Sequence, residues 1–220
     1  MRDASMLIRL AHTQPLASGG SRLIYPHPEQ PGQLIKVIKG RESMQPKHRL
    51  TPTRLKARFQ LTRQLRELRE HIRILDTPSD LLSRHLPRID GLVATDLGVG
   101  LVVEAIRDVN GRLAPTLSQL LGKSLIEPRH RDLLAIFFER LIASTAIVGD
   151  LSYNNLVLGQ DVQGNDYFAL VDGLGDNTLV PMYALVPGRN VYKKRQAEHR
   201  FLSAFDAALG RTAVITATPP

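Results

Sequence analysis

Apolar positions recur along this chain with two different periods, and the predicted elements change where the period does. Up to residue 39 they come in short runs broken by Gly and Pro. Ser5 to Ala11 predicts a strand, Ser18-Gly19-Gly20-Ser21 a turn with backbone freedom at both glycines, and Arg22 to Tyr25 a second strand. Pro26-His27-Pro28-Glu29-Gln30-Pro31-Gly32 reads as a loop, with His27 a turn anchor whose ring bonds the backbone. Gln33 to Lys39 alternates and is β-branched, a third strand. Three strands joined by tight turns predict an antiparallel meander.

Residues 40 to 53, basic and interrupted by Pro46 and Pro52, read as a linker. Leu61, Leu65, Leu68, Ile72 and Leu75 then step by four, three, four and three, the apolar stripe of a helix from about Thr53 to Leu75. Ile89 to Ala94 and Gly100 to Ile106 predict two more strands around the turn Asp96-Leu97-Gly98. From Asp108-Val109-Asn110-Gly111, a turn, the longer period takes over. Thr116 to Leu121 predicts a short helix, and Glu127-Pro128 starts a second one running to about Val148 with Leu134, Phe137, Phe138, Leu141 and Ile142 on one face. A hairpin follows, Leu156 to Leu158 and Tyr167 to Val171 around Gln163-Gly164-Asn165, then an amphipathic helix over about Asn190 to Leu209 and a loosely ordered tail from Gly210. The class is α+β, with residues 1–106 one lobe of strands plus the long helix and residues 107–220 a second, mainly helical one.

Composition narrows the chemistry. With 43% apolar and 23% charged residues the chain is globular, not disordered. It has no cysteine, which excludes disulfides, thiolate catalysis and Cys-based zinc sites and fits a reducing compartment. The net charge of +8 is local: residues 36 to 73 hold twelve Lys/Arg against three acids, and the remainder is close to neutral. That basic stretch has a single aromatic, Phe59, and no reader motif, so nucleic-acid binding is the weaker explanation beside a solvated helix face. No secretory leader or membrane-spanning run is visible, which predicts a cytoplasmic protein.

Three pieces carry chemistry. Leu34-Ile35-Lys36-Val37 lies on the third strand, Gly149-Asp150-Leu151-Ser152-Tyr153-Asn154-Asn155 lies between a long helix and a hairpin, and Leu170-Val171-Asp172-Gly173 ends that hairpin. Singly these are a strand lysine, a turn carboxylate and a hairpin exit. Together, strand Lys, then Asp-Leu-x-x-x-Asn, then Asp-Gly is the order of the protein-kinase signatures, and the chain resembles the protein-kinase-like fold. More closely it resembles the small bacterial YrbL-like proteins, the PhoP regulatory network proteins. The matching text includes Ile8-Arg9-Leu10, Tyr25-Pro26-His27-Pro28-Glu29 with Ile35-Lys36, Leu86-Pro87-Arg88, Thr95-Asp96, Asp108-Val109-Asn110-Gly111, Asn155, Asp172 and Gly175.

The resemblance implies a bilobal kinase-like fold, an antiparallel-sheet N-lobe with one long helix and a reduced C-lobe. It also implies a site for ATP and Mg2+. Phosphoryl transfer is mostly positioning and charge neutralisation. Lys36 would meet the α/β oxygens of a triphosphate, held by an acid of the long helix. Glu67 lies about 120° from the apolar stripe and Glu70 about 180°, which favours Glu67 and leaves both in view. Asp172 and Asn155 would supply oxygen ligands to magnesium, and Asp150 would take the proton of the attacking hydroxyl. The base would lie against Val102 to Ile106, pairing near Glu104 and Ile106, with Gly19 and Gly20 a thin phosphate-covering loop.

Departures from the kinase pattern shape the expected substrate. Val148-Gly149 stands where many kinases have His-Arg, Ser152 stands in the place of a lysine, and neither a Phe after Asp172-Gly173 nor an Ala-Pro-Glu segment follows. Only 48 residues follow Asp172, too few for a peptide-binding helical region. The expected activity is phosphate transfer to a non-protein acceptor, an anionic small molecule or a saccharide. The alternative is a pseudokinase that works by protein contact without turnover. The seven histidines show no paired metal spacing, and Ser152 lacks the G-x-S-x-G setting of a hydrolase.

Overall fold

β-Branched and aromatic residues at alternating positions make Arg22–Pro26 (β2) and Gln33–Ile38 (β3) a hairpin pair, with Tyr25 opposite Ile35 and Leu23 opposite Val37. The computed structural model describes residues 7–19, 22–39, 65–77, 81–175 and 187–217. Gly20 and the basic stretch 40–64, with the linker and the start of the long helix, lie outside the described residues.

The chain divides into two units. The described residues up to 39 and Pro87–Ala105 form the first. Its sheet has the order β1-β2-β3-β5-β4 and is antiparallel throughout, with Ala17–Ser18 as β1, Ile89–Thr95 as β4 and Gly98–Glu104 as β5. Leu10, Tyr25, Ile35, Val37 and Val102 make its apolar cluster. The meander is present with Ala17–Ser18 as its first described strand; of the expected strand Ser5 to Ala11, the first two residues lie outside the described residues and Leu7 to Ala11 is not a strand. In the described part of that earlier segment only Ile8 bridges Thr95, because the N–H groups of Leu10 and Ala11 donate to the Asp96 carboxylate at 2.7 and 3.1 Å. His27 is the turn anchor expected of it, its Nδ1 accepting from the N–H groups of Glu29 and Gln30.

The second unit comprises Leu65–Leu86 and the chain from Ile106 onward. Residues 65–75 are helical (α1), followed by a 3-10 turn at Leu81–His85. Leu117–Gly122 (α2) starts with a capping box between Thr116 and Gln119. Pro128–Ala143 (α3) buries Leu134, Phe137, Phe138 and Leu141 completely. Leu156–Gln160 (β6) and Asp166–Leu170 (β7) form a hairpin, and Pro187–Ala217 is the last helix, α4. Edge-on aromatic contacts link Phe137, Phe138, Phe201 and Tyr153 in the core.

Three expectations change here. The long helix presents its stripe outward: Leu65, Ile72 and Leu75 are exposed, while Glu67, Glu70, His71 and Ile74, at the same helical spacing, are buried. That buried face belongs to the second unit, Ile74 lying in its core and Glu70 bonded to Ile147. Helix α3 stops at Ala143, short of Val148, where Ser144 turns the chain and bonds back to Leu141. Helix α4 continues past Gly210 to Ala217, where a loose tail was expected. Among the described residues no helix is long and apolar enough to cross a membrane.

Candidate functional site

The segment between α3 and β6 carries Asp150 and Asn155, and it is laced to the Asp172-Gly173 exit of β7 by its backbone. Gly149 and Asp150 both donate their N–H groups to the Gly173 carbonyl, at 2.9 and 3.1 Å. Val171 donates to the Asn155 carbonyl at 2.9 Å, and Gly175 to that of Ile147 at 2.8 Å. Asn155 closes the loop on itself, its Nδ2 donating to the Asp150 carbonyl at 3.2 Å. Gly173 sits at φ 99°, and a Cβ there would run into the Asp150 carbonyl, so only glycine fits the crossing. Asp150, Asn155 and Asp172 are thus brought to one place within the second unit.

Helix α1 closes on the same place. A Cβ on Gly175 would stand 3.1 Å from the Arg66 carbonyl oxygen and 3.3 Å from the Glu67 nitrogen, so the Asp172 loop presses on the helix where Glu67 begins. Glu70 is committed to the loop instead: its Oε1 accepts from the Ile147 N–H at 2.7 Å, and its carboxylate pairs with Arg73. Arg73 in turn donates to the hydroxyl and carbonyl of Thr145. Glu67, one turn earlier, is buried as well.

The carbonyls of the segment end on α4. Asn190 Nδ2 donates to Ala146, Lys193 Nζ to Val148 and Gly149 at 3.0 and 2.6 Å, Lys194 Nζ to Leu141 and Ser144 at 2.7 and 2.9 Å, and Arg200 Nη2 to Leu151 at 2.7 Å. Lys194 is fully buried, a lysine capping the carbonyl end of α3. Sequence reasoning missed these four residues. A signal existed for two of them, since Asn190, Lys194, Ala197, Phe201, Phe205 and Ala208 form one helical stripe that is otherwise apolar.

The first unit holds the other expected residues. Lys36 lies on β3 between Ile24 and Leu101 and is only 5% exposed. Such burial requires its charge to be matched. Gly19 closes the β1–β2 turn by donating to the Arg22 carbonyl at 3.0 Å. Glu104 ends β5, where its N–H donates to the Arg88 carbonyl, and the Arg88 N–H goes to the Glu104 carboxylate at 3.1 Å. Ile106 belongs to the second unit, its carbonyl accepting from Ala114 at 3.0 Å.

Among the described residues no group of three or more His, Asp or Glu side chains converges as a metal cage. The donor set of Asn155 and Asp172 does fit magnesium. Both offer oxygen, and with its Nδ2 spent on Asp150, Asn155 has its amide oxygen for a cation. A hard cation that keeps waters and phosphate oxygens needs no more than one or two such protein ligands.

A five-stranded antiparallel sheet with a buried strand lysine, and a helical unit that crosses an Asp-x-x-x-x-Asn loop with an Asp-Gly loop, define a protein-kinase-like fold. Solved structures agree: the chain is similar to the crystal structure of Rad53 1-466 in complex with AMP-PNP, a kinase neighbour, with TM-score 0.52 and 10% identity over 86% of this chain and 44% of that one. It spans less than half the length of that neighbour. Within this fold the chain belongs to the family described as PhoP regulatory network protein YrbL, whose model matches residues 8–205. Among curated proteins it is similar to "Uncharacterized protein YrbL" of Escherichia coli (strain K12) and of Shigella flexneri. Each is 26% identical over 179 residues, covering 80% of this chain and 77% of the relative.

Proposed function

We propose that this chain is a cytoplasmic ATP-dependent phosphotransferase with a small anionic or saccharide acceptor. The observation that supports it is the crossing of the two loops, in which Asp150 and Asp172 are joined through the Gly173 carbonyl and Asn155 is fixed by its own amide. On this reading Asp150 takes the proton of the acceptor hydroxyl. Asn155 and Asp172 hold Mg2+, which when bound neutralises charge on the phosphates. The kinase resemblance would put Lys36 on the α/β oxygens with an acid of the long helix as its partner, Glu67 in preference to Glu70. Gly19 and Gly20 cover the phosphates, and the backbone near Glu104 and Ile106 receives the base. The AMP-PNP in the similar Rad53 structure supports a nucleotide as the ligand class.

Thermal-shift measurement with Mg-ATP tests the nucleotide site: stabilisation of the parent is expected, and its absence at millimolar Mg-ATP sinks the proposal. Asp150→Asn should keep that stabilisation and lower ATP turnover by roughly a hundredfold or more. The exposed leucine stripe of α1 favours one second reading, a nucleotide-sensing module that acts by protein contact. It predicts the same stabilisation with no turnover in the parent and no change in Asp150→Asn.

A further inference from the structure

Helix α4 binds six carbonyls of the connection between Leu141 and Leu151 through four side chains, and the two adjacent lysines among them have different duties. Lys194 reaches the end of helix α3. Lys193 reaches the two carbonyls immediately before Asp150. The peptide between Gly149 and Asp150 is therefore held from both sides, its carbonyl on the Lys193 ammonium at 2.6 Å and its N–H on the Gly173 carbonyl at 3.1 Å. That peptide plane sets the Asp150 Cα and its N–Cα bond, and the following plane is held by Asn155 Nδ2 on the Asp150 carbonyl at 3.2 Å, so together the two set the direction of the Cα–Cβ bond. Charge-assisted bonds to an ammonium do this more firmly than neutral ones.

We propose that Lys193 is the positioning residue for Asp150, holding the carboxylate in its working direction through the Gly149 carbonyl. Its functional consequence rests on the reading of Asp150 as the proton acceptor. The test uses the full chain with Lys193→Met, Lys193→Gln and Lys193→Arg, followed first by amide hydrogen exchange without nucleotide. The Gly149 and Asp150 amides should exchange at least about tenfold faster in Lys193→Met, less so in Lys193→Gln, and at close to the parent rate in Lys193→Arg. Amides of β6 and β7 should be unchanged in all three. Parent-like exchange at Gly149 and Asp150 in Lys193→Met overturns the proposal. So does global unfolding of both neutral variants, which would make Lys193 a residue of the core. A second readout is turnover: kcat should fall at least about tenfold in Lys193→Met with KM for ATP unchanged, and recover in Lys193→Arg. If the parent shows no Mg-ATP stabilisation the phosphotransfer reading fails, while the exchange comparison still decides whether Lys193 orders the loop.

Discussion

The sheet of the first unit and the segment 144–151 of the second are ordered by different means. In the sheet each strand takes its hydrogen bonds from a neighbouring strand, and side chains such as Ile35 and Val37 fill one cluster, so the burden is spread over many similar contacts. Segment 144–151 has only isolated bridges at Val148. Beside the backbone bonds to Gly173 and Gly175, many of its carbonyls go to single side chains, Asn190, Lys193, Lys194 and Arg200, and the Ile147 N–H goes to Glu70, so much of its order depends on particular side chains. The first kind of order is forgiving of single changes and the second is not. That second kind lies where the candidate chemistry does, which suits a loop whose directions matter more than its burial.

The largest expected break in this contrast is Lys194→Met. It leaves the stem in place but removes the ammonium from the Ser144 carbonyl and leaves the Leu141 carbonyl only the Ser144 hydroxyl; with bonds to a charged donor at about 1.5–3 kcal/mol each, a loss on the order of 4 kcal/mol is expected in urea unfolding. A loss under about 1 kcal/mol would show that water replaces the ammonium and that the carbonyls are not dependent on it. Gly173→Ala comes next, at about 3 kcal/mol, since both its positive φ and the Asp150 carbonyl oppose a Cβ and backbone cannot step aside. The sheet offers the control. Ile35 is as buried as any residue here, yet Ile35→Val should cost only about 1 kcal/mol. Equal losses in these two variants would erase the distinction between the regions.

The same contrast governs what could be read in advance. Strand β3, the hairpin β6–β7 and the apolar face of α3 were legible because alternation and helical spacing report burial by many equivalent neighbours. The order of Asp150, Asn155 and Asp172 was legible as a motif, and the three do meet in the second unit. Helix α1 was misread because spacing tells which residues share a face, not which face turns inward. Here Glu67, Glu70 and His71 are drawn in, Glu70 by the Ile147 N–H, and Leu65, Ile72 and Leu75 are left outside. Lys193 was invisible for a related reason. A lysine on an amphipathic helix ordinarily marks the wet side, and its true partners, two carbonyls of a distant loop, leave no trace in local pattern.

The smallest expected effect is one of pH, and it separates the two units by the acid range in which each weakens. In the second unit burial holds His85 below its ordinary value of 6.5. Its Nδ1–H donates to the Phe168 carbonyl at 2.7 Å, so Nε2 is left to accept from Arg140 at 2.9 Å, and both fit the neutral ring. Burial lowers His130 as well, partly offset by Glu127 and Asp166. A histidine that stays neutral in the fold takes up a proton on unfolding, so its contribution is complete above pH 6.5 and declines as pH falls toward the depressed folded value. In the first unit the Leu10 N–H holds the Asp96 carboxylate below its ordinary 3.8, with the Ala11 N–H adding to it. That tie is complete above pH 3.8 and is lost only as pH falls through the lower folded value. Amide signals followed by NMR from pH 7 downward should therefore weaken first in α3 and the Leu81–His85 turn, with Leu10 and Ala11 persisting until well below pH 4. His85→Gln should flatten the upper part of this dependence and leave the lower part alone. Loss of the Leu10 and Ala11 signals before those of α3 would reverse the expected order and place the acid-sensitive groups in the sheet.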